Sequence, residues 1–429
     1  MPDEALAALI FGITYLIIAS ERVDKTAAAL AGAVVMIALH PGGFGQSEAF
    51  AAIDFNVIFL LAGMMIIVHV LSHSGVFQWM GVHSVRMAGG SATRLLIILA
   101  LITAVLSAFM DNVTTIVLVA PVTLFVTGSL GLRPAPFLIA EVLASNIGGS
   151  ATLIGDPPNI LIGSAAGLTF VDFLVNVMPV IVLILAIYLL LVPRLFRHHL
   201  EASREAWERV AGIERAGLIT NPRLLVIAGG VLALTITGFA LHGLLDLEPA
   251  TVALAGAAAV LILGRQDPQA VLREIEWSTL MFFVGLFIVV GGVESVGLLQ
   301  DIGEGISDLT GSNQTAAMLS ILGLSALASG VVDNIPYTTA MIPVVREVGV
   351  DIGGNGGSGN VLWWSLSLGA CLGGNLTLIA ASANVLMANL AKRANDEVGF
   401  WEFFRYGAFV TVLSVGVAAP YLWLRYLAF

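Results

Sequence analysis

The sequence predicts an all-α polytopic membrane protein made of two inverted five-helix units, each with a re-entrant hairpin and a broken helix. Three observations predict this fold: an apolar composition, an internal repeat and a one-sided distribution of positive charge. Of the 429 residues, 58% are apolar and 11% are charged, and the mean hydropathy is +0.97. Soluble proteins carry about 25% charged residues. The composition therefore excludes a soluble enzyme, a nucleic-acid-binding protein and a disordered scaffold. We expect the chain to be embedded in a lipid bilayer, which is its predicted partner.

Motifs for covalent or metal chemistry are missing from the sequence. A single cysteine, Cys371, excludes a disulfide framework, a Cys-ligated zinc site and an iron–sulfur cluster. The chain contains no phosphate-binding loop, no HExxH motif and no nucleophile–base pair. We therefore expect no enzyme activity, no catalytic residue, no metal site and no bound cofactor.

Both halves of the chain contain the same succession of apolar runs, and a helix that crosses a bilayer needs about 20 such residues. In the first half these elements are 5–20, 26–40, 57–74, a mixed stretch 76–91, 92–127, 136–167 and 170–195. In the second half they are 224–242, 250–263, 280–296, a mixed stretch 297–312, 314–345, 361–391 and 404–427. Polar residues interrupt four of the runs, near Asp111, Asp156, Asp333 and Thr377. We expect the mixed stretches to be helices that lie flat at the interface.

Sequence similarity between the halves indicates an internal repeat. Asp111-Asn112 matches Asp333-Asn334 at an offset of 222 residues, and GGSATLIGDPPN at 148–159 matches GGNLTLIAASAN at 373–384 at an offset of 225. We therefore divide the chain into a first repeat at 1–195, a linker at 196–223 and a second repeat at 224–429. The hairpins are predicted at 92–127 and 314–345, and the broken helices at 136–167 and 361–391.

The distribution of Lys and Arg predicts the orientation. If the basic linker 196–223 is cytoplasmic and both hairpins return to their own side, sixteen of the eighteen Lys and Arg residues face the cytoplasm. Each half then crosses five times, which gives ten crossings and inverts one half relative to the other. The hairpin at 92–127 opens to the cytoplasm and the hairpin at 314–345 opens outward. We expect a multi-pass protein of the plasma (inner) membrane.

Inverted repeats with broken helices are typical of secondary transporters, which bind their solute near the midplane. Irregular backbone at that depth is tolerated where it lines a cavity or is covered by protein. We expect helix breaks at Gly148, Gly149, Pro157, Pro158, Gly373 and Gly374. Amides and hydroxyls near the breaks are the predicted substrate ligands, because they can bind a small oxygen-rich solute. They are Asn112, Thr115, Asn146, Ser150, Thr152, Asn159, Asn334, Thr338, Asn375, Thr377 and Asn384.

Carboxylates in these segments are the predicted proton or ion carriers: Asp111, Asp156, Asp333 and Glu141. A charge at the membrane centre costs roughly 2.5–3.5 kcal/mol on insertion scales, so such groups are neutral or paired with a cation. The breaks contain no Lys or Arg, which favours H⁺ or Na⁺ as the coupling ion. Two alternatives stay open: Asp111 and Asp333 cap half-helices, and Glu141 is solvated near the cytoplasmic interface.

Three motifs carry a resemblance to a known family: DNVTTIVLVAPVT, EVLASNIGGSATLIGDPPNILIGSAAGLTF and DNIPYTTAMIPVV. They resemble the arsenite permease, NhaD-type antiporter and P-protein branch of the ion transporter superfamily, along nearly the whole chain. The resemblance implies an inverted-repeat transporter whose hairpin-bearing part moves like an elevator. It also implies a homodimer and, as for some arsenite permeases, a soluble ATPase partner, although no motif of this chain specifies either.

The function predicted first is export of arsenite or antimonite in exchange for H⁺. Na⁺/H⁺ exchange is the alternative, followed by transport of another small anion or organic solute. The hairpin tips carry Asp-Asn-Val at 111–113 and Asp-Asn-Ile at 333–335, where the dicarboxylate symporters carry Ser-Asn-Thr. Acidic tips should repel a dicarboxylate, and one cysteine cannot chelate arsenic, so arsenous acid would be held by hydrogen bonds. Outside secondary transport, we consider two further functional classes: an ion channel and an intramembrane hydrolase.

Overall fold

The computed structural model describes residues 2–20, 22–196, 207–208, 217–310, 313–351 and 361–428, and the regular structure in these ranges is helical throughout. In the first half, the helices are α1 Asp3–Ser20, α2 Lys25–Leu39, α3 Gln46–Ala51, α4 Phe55–Ser72, α5 Val76–Ala88, α6 Ala92–Ser107, α7 Asn112–Leu130, α8 Pro134–Gly149, α9 Pro157–Ala166, α10 Phe170–Asn176 and α11 Met178–Leu195. In the second half, they are α12 Pro222–Leu245, α13 Pro249–Gly264, α14 Pro268–Arg273, α15 Trp277–Ser295, α16 Leu298–Thr310, α17 Gln314–Ser329, α18 Asn334–Asp351, α19 Val361–Gly373, α20 Ser382–Arg393 and α21 Phe400–Tyr426. Most of the linker 196–223 lies outside the described residues.

Seven of the described helices are long and apolar enough to cross a membrane: α1, α4, α7, α11, α12, α15 and α21. Five shorter apolar helices, α2, α6, α13, α17 and α19, occupy other predicted runs. The all-helical, multi-pass fold that the composition predicts is therefore confirmed. The number of ten crossings and the inversion of the halves stay predictions.

Local sequence explains where the helices begin. Asp54 accepts hydrogen bonds from the backbone N–H groups of Asn56 and Val57, so it caps α4. Proline occupies a first-turn position in α8, α9, α12, α13 and α14. At that position its missing N–H costs nothing, because no intrahelical acceptor is available there.

The predicted single run 170–195 is wrong. The structure breaks it at Val177, and α9 and α10 are bent by 112° at the preceding turn. Proline lies in the first turn of α11, where it disfavours continuation of the preceding helix. The hydroxyl of Tyr421 donates to the carbonyl of Asn176 over 2.9 Å, which satisfies a group that the break leaves free.

Two bundles make up the molecule, and each draws on both halves of the chain. Helices α1, α2, α4, α12, α13 and α15 pack against one another and form the first bundle. Helices α6 to α11 and α17 to α21 form the second bundle. Helices α5 and α16, the predicted flat helices, pack against α7 and α18 respectively. The polar interruptions therefore all lie in the second bundle.

The order of helices repeats along the chain. Equivalent helices begin 222 residues apart, as at Phe55 and Trp277, Ala92 and Gln314, and Asn112 and Asn334. This is the offset found between the hairpin motifs. It gives each position of the first hairpin a counterpart in the second, whereas α2 and α13 begin 224 residues apart.

Candidate functional site

Two helical hairpins bring polar tips into the second bundle. The first hairpin is α6–α7 with its tip at 108–111, and the second is α17–α18 with its tip at 330–333. Asp111 caps α7, because its Oδ1 accepts the Thr114 N–H over 2.9 Å. Asp333 accepts the Ile335 N–H over 3.1 Å. Both carboxylates thus make the capping bonds of the alternative interpretation, and Asp333 makes further bonds described below.

Irregular segments interrupt two neighbouring helices. The first break, 150–156, separates α8 from α9, and the second break, 374–381, separates α19 from α20. Asn159 donates from Nδ2 to the carbonyls of Ser150 (3.1 Å) and Thr152 (2.9 Å). Asn384 donates in the same way to Gly374 (2.8 Å) and Thr377 (2.9 Å). These two predicted substrate ligands therefore support the backbone of the breaks, where unsatisfied carbonyls would be costly.

Each break is also joined to a hairpin by a threonine. The hydroxyl of Thr152 donates to the carbonyl of Ala108, and that of Thr377 donates to the carbonyl of Gly330 over 2.7 Å. Both acceptors lie at the start of a hairpin tip. Thr152 and Thr377 are therefore bonded supports, and they couple the position of each break to that of a hairpin.

We expect Thr377→Val to lower stability by about 1–3 kcal/mol, because the carbonyl of the buried Gly330 loses its donor. The melting temperature of the detergent-purified protein measures this loss. Thr237→Val is the matched control, since that exposed hydroxyl only bonds the carbonyl of Ala233 in its own helix. Equal melting temperatures for the two variants would contradict the support assigned to Thr377.

The glycine pairs lie at a close helix crossing. Gly148 and Gly149 are the last residues of α8, and Gly373 is the last residue of α19. A Cβ at Gly148 would lie 2.1 Å from the carbonyl oxygen of Ala104, and one at Gly373 would lie 2.6 Å from that of Ala326. The glycines thus let a hairpin arm touch the broken helix. Pro157 and Pro158 open α9, whereas the second break forms without proline, so the predicted breaks are present but the glycines have a packing role.

Asp156 lies at the meeting point of both hairpin tips. Its side chain is fully buried, and its Oδ1 accepts hydrogen bonds from Nδ2 of Asn112 (3.4 Å) and of Asn334 (3.3 Å). Oδ2 makes no hydrogen bond within the described residues, and the thiol of Cys371 lies near the same carboxylate. None of the ion pairs in the described ranges includes Asp156.

Asn146 connects the first hairpin to the second break. Its Oδ1 accepts from Asn112 over 3.2 Å. Its Nδ2 lies 3.0 Å from Oδ1 of Asn375 and 3.0 Å from Oδ1 of Asn384. Together with Asp156 and Asn334, these asparagines form one buried polar network, which we call the amide cluster. Of the predicted ligands, Asn112, Asn146, Asn334, Asn375 and Asn384 meet in it.

Three predicted hydroxyl ligands donate to the backbone carbonyl four residues earlier. Thr115 donates to the carbonyl of Asp111 over 2.9 Å, and Thr338 donates to that of Asn334 over 2.7 Å. Ser150 donates to the carbonyl of Asn146 over 2.7 Å. These bonds connect the amide cluster to its helices, and they leave only the acceptor capacity of the hydroxyls free.

Glu141 lies apart from the amide cluster on α8. Asn146 follows five positions later, a rise of about 7.5 Å along a helix. The side chain is fully buried, accepts a 2.6 Å hydrogen bond from the Thr123 hydroxyl, and has an Oε2 without a partner in the described residues. The alternative that Glu141 is solvated is therefore wrong.

The absence of Lys and Arg from the breaks does not leave Asp333 without a cationic partner, because a lysine from elsewhere in the chain reaches it. Nζ of Lys25, at the start of α2, lies 2.8 Å from Oδ2 of Asp333. The Ser382 hydroxyl donates to the same oxygen over 3.0 Å. Lys25 lies in a different bundle and 308 residues away in sequence, so no local motif could reveal the pair. Glu276, which interacts electrostatically with Asp111 and Lys25, is a further charged residue that the sequence analysis missed.

A cavity of about 310 Å³ opens between the two bundles on the side of the first hairpin. Its lining includes Asn56, Ser164, Thr169, Leu247 and Glu248. A much smaller space next to Asp111 shares the side chains of Leu60 and Ile160 with this cavity. The cavity therefore comes close to the tip of the first hairpin.

Comparisons with known proteins agree on a transporter. The family model described as "Citrate transporter" (CitMHS) matches residues 15–369. An uncharacterized transporter of Mycobacterium tuberculosis strain H37Rv is 45% identical over 427 residues, which are 98% of both chains. The human P protein is 33% identical over 497 residues, which cover 97% of this chain and 59% of the P protein. The YdaH transporter of Alcanivorax borkumensis has a similar fold, with a TM-score of 0.62 at 16% identity over 99% of this chain and 98% of that one.

Proposed function

The chain belongs to the citrate transporter (CitMHS) family, and from this premise we propose that it exchanges a small hydroxylated solute for protons. It is a membrane transporter and not an enzyme. The predicted kinship with the P-protein branch is confirmed by a relative at 33% identity. The kinship with arsenite permeases and NhaD-type antiporters remains a proposal.

The carboxyl group of Asp156 is the observation that carries the proposal. It is buried, both hairpin tips donate to one of its oxygens, and its second oxygen has no bond in the described residues. A carboxylate without a cationic partner in an apolar environment needs a proton or a metal cation to compensate its charge. Binding and release of that cation would change the bonds to both hairpins, which is what coupling to a conformational change requires.

The charge of the site favours a neutral solute over a carboxylate anion. The amide cluster contains Asp156, and Asp111 and Asp333 interact with that carboxylate electrostatically. Lys25, the cation beside the cluster, is already paired with Asp333. Citrate would have to approach these aspartates, whereas amides can bind the hydroxyls of a neutral acid without charge repulsion. Arsenous acid and antimonous acid meet this description, and we propose their export in exchange for H⁺ as the first function to test.

Na⁺/H⁺ exchange is the second candidate, favoured by the free oxygen of Asp156. Carboxylate and amide oxygens are the ligands that hard cations prefer. Asn112, Asn146 and Asn375 could supply amide oxygens near this carboxylate after side-chain rearrangement. A sodium ion would then take the place that the first proposal gives to the solute.

Purified protein in liposomes with an inside-acidic pH gradient and an entrapped pH dye tests the proposal. We expect arsenite or antimonite to dissipate the gradient in a protein-dependent way, and Na⁺ and citrate to leave it unchanged. Dissipation by Na⁺ alone would establish the second candidate, and dissipation by citrate alone would contradict the charge argument. Liposomes without protein give the leak rate.

The membrane and the orientation of the chain in it are also part of the proposal. We propose that the chain lies in the plasma membrane with the linker 196–223 on the cytoplasmic side, as the Lys and Arg distribution predicts. The homodimer and the soluble ATPase partner implied by the resemblance also remain proposals.

A further inference from the structure

The tip of the second hairpin is attached directly to the first bundle. Lys25 of α2 forms an ion pair of 2.8 Å with Asp333 and donates to the hydroxyl of Ser382. Tyr15 of α1 donates from its hydroxyl to the carbonyl of Pro336 over 2.8 Å. Two neighbouring helices of the first bundle therefore hold the hairpin tip, and the ion pair also reaches the start of α20.

The corresponding positions beside the first hairpin are different. Helix α13 begins at Pro249 as α2 begins at Lys25. Thr235 packs against Gly256 as Thr14 packs against Gly32. Ile236, the next residue after Thr235, therefore stands where Tyr15 stands. Neither Pro249 nor Ile236 has a side-chain group that can pair with a carboxylate or donate to a carbonyl. The 310 Å³ cavity lies on this side, with Pro249 in its lining. The structure is thus closed at the second tip and open near the first.

The ion pair between Lys25 and Asp333 is partly buried and is supported by an aromatic ring. The side chain of Asp333 is 12% exposed and that of Lys25 is 29% exposed. Nζ of Lys25 also lies 4.9 Å from the centre of the Phe282 ring, a favourable cation–π distance. Loss of either partner leaves the other charge partly buried, which is strongly unfavourable.

We propose that Lys25 is a positioning residue for transport, which holds the second hairpin against the first bundle while Asp333 is charged. A coupling cation bound at Asp156 competes with Lys25 for the Asp333 carboxylate, with which Asp156 interacts electrostatically, and frees the tip to move. This inference rests on the cation coupling proposed above, because the release step needs a cation at the amide cluster.

Several charged or titratable groups face this pair from the helices packed around it. Asp156 and Glu276 interact electrostatically with Asp333 and Lys25 respectively. Asp24 is occupied as the cap of α2, and the Tyr15 hydroxyl is occupied by Pro336. Lys25 is therefore the cation that balances several acids at this point, and a competing cation leaves it free to turn towards the others.

Hydrogen–deuterium exchange of the purified protein, without solute or gradient, tests the attachment. We expect Lys25→Leu to speed exchange in residues 331–340 by about tenfold or more, within the range of ordinary coupling between sites. Residues 108–116 of the first hairpin should keep their wild-type rate, which shows that the fold is intact. Lys25→Arg should restore slow exchange, because it keeps the charge.

Asp333→Asn removes the charge of the other partner and provides a second, independent variant. It should speed exchange at 331–340 as much as Lys25→Leu does, and the double variant should show no further increase. Lys392→Leu is the matched control, because the other lysine of the chain forms an exposed ion pair with Glu397. Unchanged exchange at 331–340 in both Lys25→Leu and Asp333→Asn, or additive effects in the double variant, would overturn the inference. Failure of the flux assay would instead contradict the proposed function and leave this result standing.

Discussion

Asp156→Asn is expected to abolish proton-coupled flux while leaving the protein folded. The amide keeps the size of the side chain and can still accept from Asn112 and Asn334 through its oxygen, as Oδ1 of Asp156 does. It cannot take up or release a proton, and it carries no charge to compensate. Positioned proton-transfer groups typically contribute about 10²–10⁴-fold to a rate, so we expect the initial rate of gradient dissipation to fall at least 100-fold.

The measurement is the flux assay in liposomes, with equal amounts of protein verified after reconstitution. Asp301→Asn is the matched control, because Asp301 is an exposed acid on α16, away from the breaks. It should transport at the wild-type rate. An Asp156→Asn variant that still moves protons with the solute would show that the coupling cation is carried elsewhere, and Glu141, with its free buried oxygen, would be the next group to test.

Gly148→Ala is expected to have the largest effect on stability. The added Cβ would lie 2.1 Å from the carbonyl oxygen of Ala104, and the neighbouring atoms of Ala104 are backbone as well. Backbone in a packed helix pair cannot give way as a flexible side chain can, and overpacking typically costs 1–3 kcal/mol, occasionally more. We expect a loss of about 3 kcal/mol or more, seen as a strongly lowered melting temperature or failure to accumulate in the membrane.

Gly128→Ala on α7 is the matched control, because a Cβ there meets no atom within 4 Å. It should be neutral or stabilising by up to about 1 kcal/mol, since alanine is a better helix former than glycine. Gly373→Ala should resemble Gly148→Ala, because its Cβ would meet the carbonyl of Ala326 at 2.6 Å. Equal stability of Gly148→Ala and Gly128→Ala would show that the helix crossing can relax.

The helices and their interruptions were predictable because they depend on neighbouring residues. Apolar runs predict buried or lipid-facing helices, Asp111 caps the helix that begins at the next residue, and Pro157 opens α9 at the position where proline is tolerated. The repeated motifs further predict that the two hairpin tips and two breaks are equivalent. The convergence of Asn112, Asn334 and Asp156 agrees with this reasoning, although their role in transport remains a proposal.

The hydrogen-bond partner of each polar side chain in the site was not predictable in the same way. Asn159 and Asn384 have the same side chain as Asn146, but their amide donors are used by carbonyls of the breaks. Whether an asparagine binds backbone or another side chain depends on which carbonyls the fold leaves unsatisfied. A sequence pattern shows the donor and acceptor capacity of a residue but not its partner.

The sequence by itself determined the class of the protein, the succession of its helices and the positions of the polar interruptions, because hydropathy, capping and proline act over a few residues. Only the tertiary structure decided that the halves interleave into two bundles and that Lys25 reaches Asp333 across 308 residues. It also decided that one hairpin tip is held while a cavity approaches the other. Such contacts depend on how helices pack in space, and packing brings together residues whose separation along the chain carries no signal.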